Sequence, residues 1–199
     1  VVPSSAMNGC KQLAAAAAVL LSVGCSTAHY PINPPLARID AHTGYRAQRA
    51  FAAEPGDTVF MHMSVSGGGT RAAALGFGVM EVLRDTPIRW QGKDKRLIDE
   101  LDMLMGVSGG SMLAASYALR GADGLQQFEK AFLQAPLQSG LLSLALSPRS
   151  LWRIQSPRFG RGDLLAEYLD ERLFQGATFA QLSRTPRKPF VVIYASDMA

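Results

Sequence analysis

The stretch that most constrains the fold runs from Leu101 to Arg120 and reads LDMLMGVSGGSMLAASYALR. Its first seven residues are apolar except for Asp102, a pattern typical of a buried strand. Gly106-Val107-Ser108-Gly109-Gly110 follows, and apolar residues then recur at helical spacing. A strand, a G-x-S-x-G turn and a helix are the context that a nucleophile elbow requires. We therefore predict that Ser108 is a nucleophile in a strained turn, with Gly106 and Gly110 allowing the strand and helix to approach closely.

The position of Ser108 also suits the chemistry of a nucleophile. A hydroxyl at such a turn projects beside the N-terminus of the following helix, where backbone N–H groups and the helix dipole stabilise a developing oxyanion. Taken alone, however, the pentapeptide equally describes an ordinary Gly-Ser turn between a strand and a helix. The elbow motif by itself leaves both interpretations open.

A second glycine-rich loop precedes the elbow. Residues Thr58 to Ser66 have the composition of a strand, and Gly67, Gly68 and Gly69 come before a helical pattern. Consecutive glycines at a helix start leave backbone N–H groups free to bind an anion, either a phosphate or the oxyanion of an acyl transfer. Arg71 opposes the helix dipole, so we predict that it meets an anion; the alternative is a solvated side chain.

Together the two loops resemble the patatin-like phospholipase family, which has a GGGxR loop after its first strand and G-x-S-x-G after a later one. The ending Phe190 to Met198 also resembles a strand of that family. The resemblance implies an α/β class: a three-layer α/β/α fold with a mainly parallel sheet. It further implies hydrolysis of lipid or phospholipid acyl esters by a Ser-Asp dyad. Ser108 would be the nucleophile and Gly67, Gly68 and Gly69 the oxyanion hole, with no metal and no organic cofactor.

The aspartate of the dyad is the missing part of this resemblance. The family places it in an Asp-Gly-Gly or Asp-Gly-Ala turn after a further strand, and Asp123, Asp163 and Asp170 lack that context. Asp197 ends a tripeptide that resembles an earlier strand end of the family. We therefore expect a C-terminally incomplete domain, a dyad aspartate not present in this chain, and no hydrolysis by this chain alone. Ser111 is the alternative nucleophile.

The N-terminal part predicts export. Residues 1–24 contain Lys11 and an apolar run too short to span a bilayer, and Gly24-Cys25 resembles the end of a bacterial lipobox. Cys25 is thus the predicted lipidation site, residues 25–57 a tether and residues 58–199 the hydrolase domain. We expect a membrane-anchored lipoprotein of the bacterial cell envelope, with a secreted or periplasmic protein as the second choice.

Composition narrows the possible partners. The net charge of +4 and the pI of about 9.3 are compatible with an anionic membrane surface and too diffuse to indicate nucleic acid. Residues 147–162 are rich in Pro, Gly and Arg. An irregular surface loop with a solvated basic face is the favoured interpretation, and contact with lipid headgroups is the alternative.

Two other functions fit parts of the pattern. One is a catalytically inactive, lipid-binding envelope protein that keeps the fold. The other is a nucleotide-binding module, because Gly67-x-Gly69-x-x-Ala72 after a strand fits a loose dinucleotide fingerprint, with Asp85 as its acidic residue. No histidine follows Ser108, which excludes a triad in the order Ser, Asp, His within this sequence. His62 lies in the first strand and is expected in the core or on a sheet face.

Overall fold

The computed structural model describes residues 27–31, 33–47, 51, 59–184 and 189–195. They form two compact units. The smaller unit consists of the described residues before 35 together with Gln138–Glu167. The larger unit consists of the described residues of Pro35–Leu137 and those from Tyr168 onward. Cys25 and Asp197, both singled out above, lie outside the described residues.

The larger unit alternates strands and helices. In chain order its elements are β1 (Met61–Val65), α1 (Gly69–Asp85), β2 (Pro87–Trp90), β3 (Lys93–Arg96), a 3₁₀ turn (Leu97–Glu100), β4 (Leu101–Val107) and α2 (Gly109–Arg120). A 3₁₀ turn (Ala122–Gly124), α3 (Leu125–Phe128) and a π-helical turn (Glu129–Leu133) follow. Beyond the smaller unit come a second π-helical turn (Asp170–Phe174), α7 (Phe179–Arg184) and β5 (Phe190–Tyr194).

The main sheet of the described residues has the order β1-β4-β5, and both pairings are parallel. Parallel neighbours need a crossover, and α1 provides it between β1 and β4. This arrangement confirms the predicted α/β class with a parallel sheet. The polar connection after α1 contains a short antiparallel hairpin, β2–β3, that the sequence analysis did not predict.

Asp102 has a structural task in β4. Met61 pairs with Leu101 and His62 with Met103, so Asp102 is the additional residue of a bulge. The backbone N–H of Met61 donates to its carboxylate at 2.8 Å. A buried donor without a partner is costly, and Asp102 therefore stabilises the register that sets where both strands end.

The core of the larger unit lies between the sheet and helices α1 and α2. Buried apolar side chains come from β4, from α1 and from α2; they include Leu104, Phe77, Met80 and Leu113. Gly76 allows α1 to approach closely, since a Cβ there would lie 2.8 Å from Val65 Cγ1 and 2.9 Å from Leu113 Cδ2. Both helices are thereby held against the strands whose ends carry the glycine motifs.

Tyr45 fixes β5 from a distant part of the chain. Its ring stacks on Phe190 with centroids 4.6 Å apart, and its hydroxyl oxygen accepts the Val191 N–H at 2.7 Å. Burial raises the pKa of Tyr45 above the ordinary value, against the lowering effect of that hydrogen bond. Tyr45 belongs to the segment predicted as a tether, so at least this part of the segment packs on the sheet.

The smaller unit contains α4 (Leu137–Ala145), α5 (Pro148–Arg153) and α6 (Arg161–Leu169), of which α4 begins and α6 ends one or two residues inside the larger unit. The segment 147–162, which was predicted to be an irregular loop, contains the helix α5. Ser147 caps this helix, because its side-chain oxygen accepts the Ser150 N–H at 3.2 Å. Among the described residues, no helix combines the length and the apolar character needed to cross a bilayer.

Candidate active site

The sheet register brings the two glycine motifs together. Val65, the last residue of β1, pairs with Gly106 near the end of β4. Because the two strands are parallel, the segments that follow them leave the sheet at the same edge. A Cβ placed on Gly67 would lie 3.5 Å from the Cβ of Ser108. The glycine loop and the elbow are therefore neighbours in contact range.

Ser108 lies alone between β4 and α2 in a strained backbone conformation. Its φ of 51° and ψ of −120° are the angles of the first central residue of a type II′ turn, a position that glycine normally occupies. Gln175 also has positive φ, but it adopts the ordinary left-handed conformation. A non-glycine residue in such a region costs about 1–3 kcal/mol. The surroundings of Ser108 must impose this conformation.

Three glycines around the elbow explain how the strain is imposed. A Cβ on Gly106 would lie 2.6 Å from the Cα and N atoms of Ser111. A Cβ on Gly110 would overlap the carbonyl oxygen of Val65, and one on Gly109 would overlap that of Gly69. Backbone therefore packs directly on backbone on both sides of Ser108, and these contacts restrict the conformation of the turn.

The glycine loop presents backbone rather than side chains. Gly68, with φ of 138°, is the N-cap of α1, and Gly69, with φ of 65°, is its first residue. Gly67, Gly68 and Gly69 are all exposed. The first residues of α1 and α2 are in contact at Gly69 and Gly109, so two helix N-termini meet beside Ser108. Such N-termini carry unpaired N–H groups and favour negative charge.

The hydroxyl of Ser108 is available for chemistry. Ser108 is exposed and makes no side-chain capping bond to α2, although its carbonyl accepts the Ser111 N–H at 2.9 Å. Ser111 differs, because it is only 2% exposed and its Oγ lacks a hydrogen-bond partner within the part of the chain that the structure describes. Burial makes Ser111 a poor alternative nucleophile.

Arg71 lacks an ion-pair partner among the described residues, and His62, the histidine nearest the site in sequence, lies away from Ser108. Arg71 is exposed in the first turn of α1, and no carboxylate within the described ranges forms an ion pair with it. His62 is exposed and pairs with Met103, five residues before Ser108, which corresponds to roughly 16 Å along a strand. His62 therefore lies on a sheet face, not in the core.

The downstream aspartates of the described residues serve local structure. Asp163 accepts the Gly160 N–H at 2.8 Å, and Asp170 accepts the Gly176 N–H at 2.9 Å. Asp123 follows the far end of α2, roughly 18 Å along the helix from Ser108. Asp85, the acidic residue of the dinucleotide alternative, ends α1 and pairs with Arg84 at 2.8 Å. It therefore does not end a second parallel strand, as that fingerprint requires.

Gly109 is the site residue that the sequence analysis missed. The motif G-x-S-x-G leaves its position free, yet the contact with Gly69 excludes any side chain there. The Gly-Gly pair after Ser108 was the available signal. In elbow enzymes the N–H of the residue after the nucleophile is an oxyanion donor, so Gly109 belongs among the candidate donors.

The parallel α/β fold and the strained serine at a strand-to-helix turn match the geometry of α/β proteins that have a nucleophile elbow. Residues 63–197 match the family described as "Patatin-like phospholipase", and the matched range includes both glycine motifs and β5. Because the match covers more than half of the chain, this protein belongs to the patatin-like phospholipase family. No curated protein and no solved structure matches the sequence.

Proposed function

We propose that this protein hydrolyses carboxylic esters of lipids with Ser108 as its nucleophile. The observation that carries the proposal is the conformation of Ser108, an exposed non-glycine residue held at φ 51° and ψ −120°. Strain of this kind persists where the surrounding structure imposes it, and it clusters at active sites. Membership of the patatin-like family supports a lipid acyl substrate.

The glycine loop is proposed to stabilise the oxyanion. Ser108 Oγ attacks the ester carbonyl, and the negative charge that forms on the carbonyl oxygen is met by N–H groups of Gly67, Gly68 or Gly69 and of Gly109. The contact between Gly69 and Gly109 supports this grouping, because it brings the two sets of donors together. The alcohol then leaves, and water hydrolyses the acyl-enzyme.

The proton of Ser108 is proposed to pass to an aspartate outside the described residues. Tyr194, the last residue of β5, pairs with Val107, so β5 ends level with the elbow. The proposed source of the aspartate is the family's arrangement, an Asp-Gly-Gly or Asp-Gly-Ala turn on a further strand, and Asp197→Asn tests the alternative. Arg71, being exposed and without an ion-pair partner among the described residues, is proposed to contact a substrate anion.

Ser108→Ala tests the proposal. In a protein form that contains the complete dyad, this change should remove ester hydrolysis and covalent labelling by a fluorophosphonate, while the melting temperature should not fall. Ser111→Ala, which removes a buried hydroxyl that lacks a partner in the described residues, should keep both signals. Retained turnover in Ser108→Ala would end the proposal, and absent labelling of the wild type would favour the inactive, lipid-binding alternative.

We also propose that the protein is a lipoprotein of the bacterial cell envelope, anchored through Cys25. The support is the signal-like sequence before Gly24-Cys25. Cys25→Ser should release the protein from the membrane fraction of a bacterial host or block its maturation. Equal fractionation of the wild type and the variant as soluble periplasmic protein would contradict anchoring.

A further inference from the structure

The smaller unit exposes apolar side chains that helices of a globular protein normally bury. Helix α4 contains four leucines and one alanine among nine residues, yet none of its residues is buried. Leu142 is 61% exposed, and Leu146, one turn later, is 62% exposed. The Leu146 N–H donates to the Leu142 carbonyl at 3.0 Å, so the two leucines share one helix face. This face has no partner among the described residues.

Helix α5 also exposes its large apolar side chains, and the residue that it buries is polar. The one residue that α5 buries is a serine, Ser150, whereas Leu151 and Trp152 are each 50% exposed. Arg149 lies three residues before Trp152, which places the two side chains side by side on the helix. A tryptophan beside arginine and leucine is the composition of elements that lie at a membrane interface.

Of the four arginines in residues 138–167, one forms an ion pair with a carboxylate of the described residues and three do not. Arg153 donates to both carboxylate oxygens of Glu167, at 2.7 and 2.6 Å, and its guanidinium lies 4.0 Å from the centre of the Phe159 ring. Arg149, Arg158 and Arg161 are exposed, and no carboxylate of the described residues forms an ion pair with them. They supply positive charge that the unit does not compensate.

The acidic side chains of the same segment already accept hydrogen bonds within it. Within residues 138–167 the sequence has two acidic residues, Asp163 and Glu167. Asp163 accepts the Gly160 N–H, and Glu167 binds Arg153. The exposed residues of this segment therefore combine uncompensated positive charge with leucine and tryptophan, a composition complementary to an anionic lipid surface.

We propose that the smaller unit docks on anionic phospholipid bilayers through a surface, here named the Trp–Arg surface, that contains Leu142, Leu151, Trp152, Arg149, Arg158 and Arg161. The apolar side chains enter the boundary between headgroups and acyl chains, and the arginines contact phosphates. This docking extends the proposed function by specifying the surface that contacts lipid. It is independent of the chemistry of Ser108 and of an acyl group on Cys25.

The test uses Trp152 as its own reporter. The sequence has two tryptophans, so Trp90→Phe leaves Trp152 as the single tryptophan of the full chain, which is excited selectively at wavelengths that tyrosine does not absorb. Cell-free synthesis with Cys25→Ser avoids an acyl anchor, and ether-linked lipids avoid hydrolysis. We expect a blue shift of Trp152 emission with phosphatidylglycerol vesicles, a much weaker one with phosphatidylcholine vesicles, and reversal by high salt. Because Trp152 itself is observed, binding through residues 1–26 does not produce the signal.

Two sets of variants with matched controls locate the surface. Replacing Arg149, Arg158 and Arg161 with glutamine should weaken vesicle binding by roughly one hundredfold, since each arginine near an anionic surface contributes about tenfold or less. The control Arg89→Gln, Lys93→Gln, Lys130→Gln removes the same charge from the larger unit and should change binding less than threefold. Leu142→Ser with Leu151→Ser should abolish the blue shift, whereas Leu75→Ser with Val82→Ser, at two positions of α1 that are still more exposed, should not.

Three results would overturn the proposal. The first is a Trp152 emission that anionic vesicles do not change. The second is vesicle binding that the arginine and leucine variants leave intact. The third is a blue shift that rises with protein concentration in the absence of lipid, which would show that a second copy of the chain covers this surface. None of these readouts involves ester hydrolysis, so failure here is distinct from failure of the Ser108 proposal.

Discussion

The two strand-loop-helix segments of the site connect a parallel strand to the following helix in different ways. Between β1 and α1 the chain uses three residues, Ser66, Gly67 and Gly68, whereas between β4 and α2 it uses Ser108 alone. The longer connection is rich in glycine and exposes backbone with almost no side chains. The shorter one reduces the turn to a single exposed residue that carries a hydroxyl.

The residue type at positive φ determines what each connection can contribute to a reaction. A glycine adopts positive φ without a Cβ penalty, so the first segment can present N–H groups without strain. In the second segment a serine occupies a glycine-like conformation and carries the strain itself. One connection thus supplies candidate donors, and the other supplies a candidate nucleophile.

The largest effect is expected from a substitution at the contact between the two segments. In Gly109→Ala the new Cβ would overlap the carbonyl oxygen of Gly69, so backbone must move in at least one segment. We expect the free energy of unfolding to fall by about 3 kcal/mol or more, and ester hydrolysis to be lost. Urea unfolding measures the first effect, and a chromogenic ester measures the second.

Gly78→Ala is the matched control for Gly109→Ala. A Cβ at this position in the interior of α1 would meet no atom within 4 Å, so this change should raise stability by up to about 1 kcal/mol. Wild-type stability in Gly109→Ala would show that the two segments do not touch as described.

The glycine loop can be tested without disturbing the elbow. Gly68→Ala places a Cβ at φ 138°, and we expect turnover to fall by roughly one hundredfold because a proposed oxyanion donor is displaced. Gly92→Ala also introduces a side chain at positive φ, but in the β2–β3 hairpin; it should reduce stability and spare turnover. An increased KM with unchanged kcat in Gly68→Ala would indicate that the loop binds substrate without stabilising the transition state.

The strain at Ser108 predicts the smallest effect and the least intuitive one. Ser108→Gly should relieve the positive-φ penalty, so its free energy of unfolding should exceed that of Ser108→Ala by about 1 kcal/mol, although both variants lack the proposed nucleophile. Thermal melts of the two variants give this comparison directly. Equal stability, or a less stable glycine variant, would mean that the turn is not strained.

Sequence reasoning predicted the parts of the fold that depend on local pattern. The apolar run of β4 and the helix after Ser108 follow from periodicity, and the structure confirms them. The parallel sheet that the family resemblance implied is also present. The family match confirms the resemblance that the two glycine motifs first indicated.

Other features depend on contacts between residues distant in sequence, which a pattern does not contain. The overlap that restricts Gly109 exists because a loop 40 residues earlier lies against it. The bulge at Asp102 became visible only when its partner strand was known. The hairpin β2–β3 carries mostly charged residues in its second strand, so hydrophobic alternation gave no signal.

The hydrogen bond from Val191 to Tyr45 implies an order of events during synthesis. The two residues are 146 positions apart, so a ribosome that adds 5–20 residues per second makes Val191 roughly 7–30 s after Tyr45. During that interval the aromatic ring has no strand β5 on which to stack. The segment around Tyr45 is therefore among the first parts of the domain to be made and among the last to reach its native place.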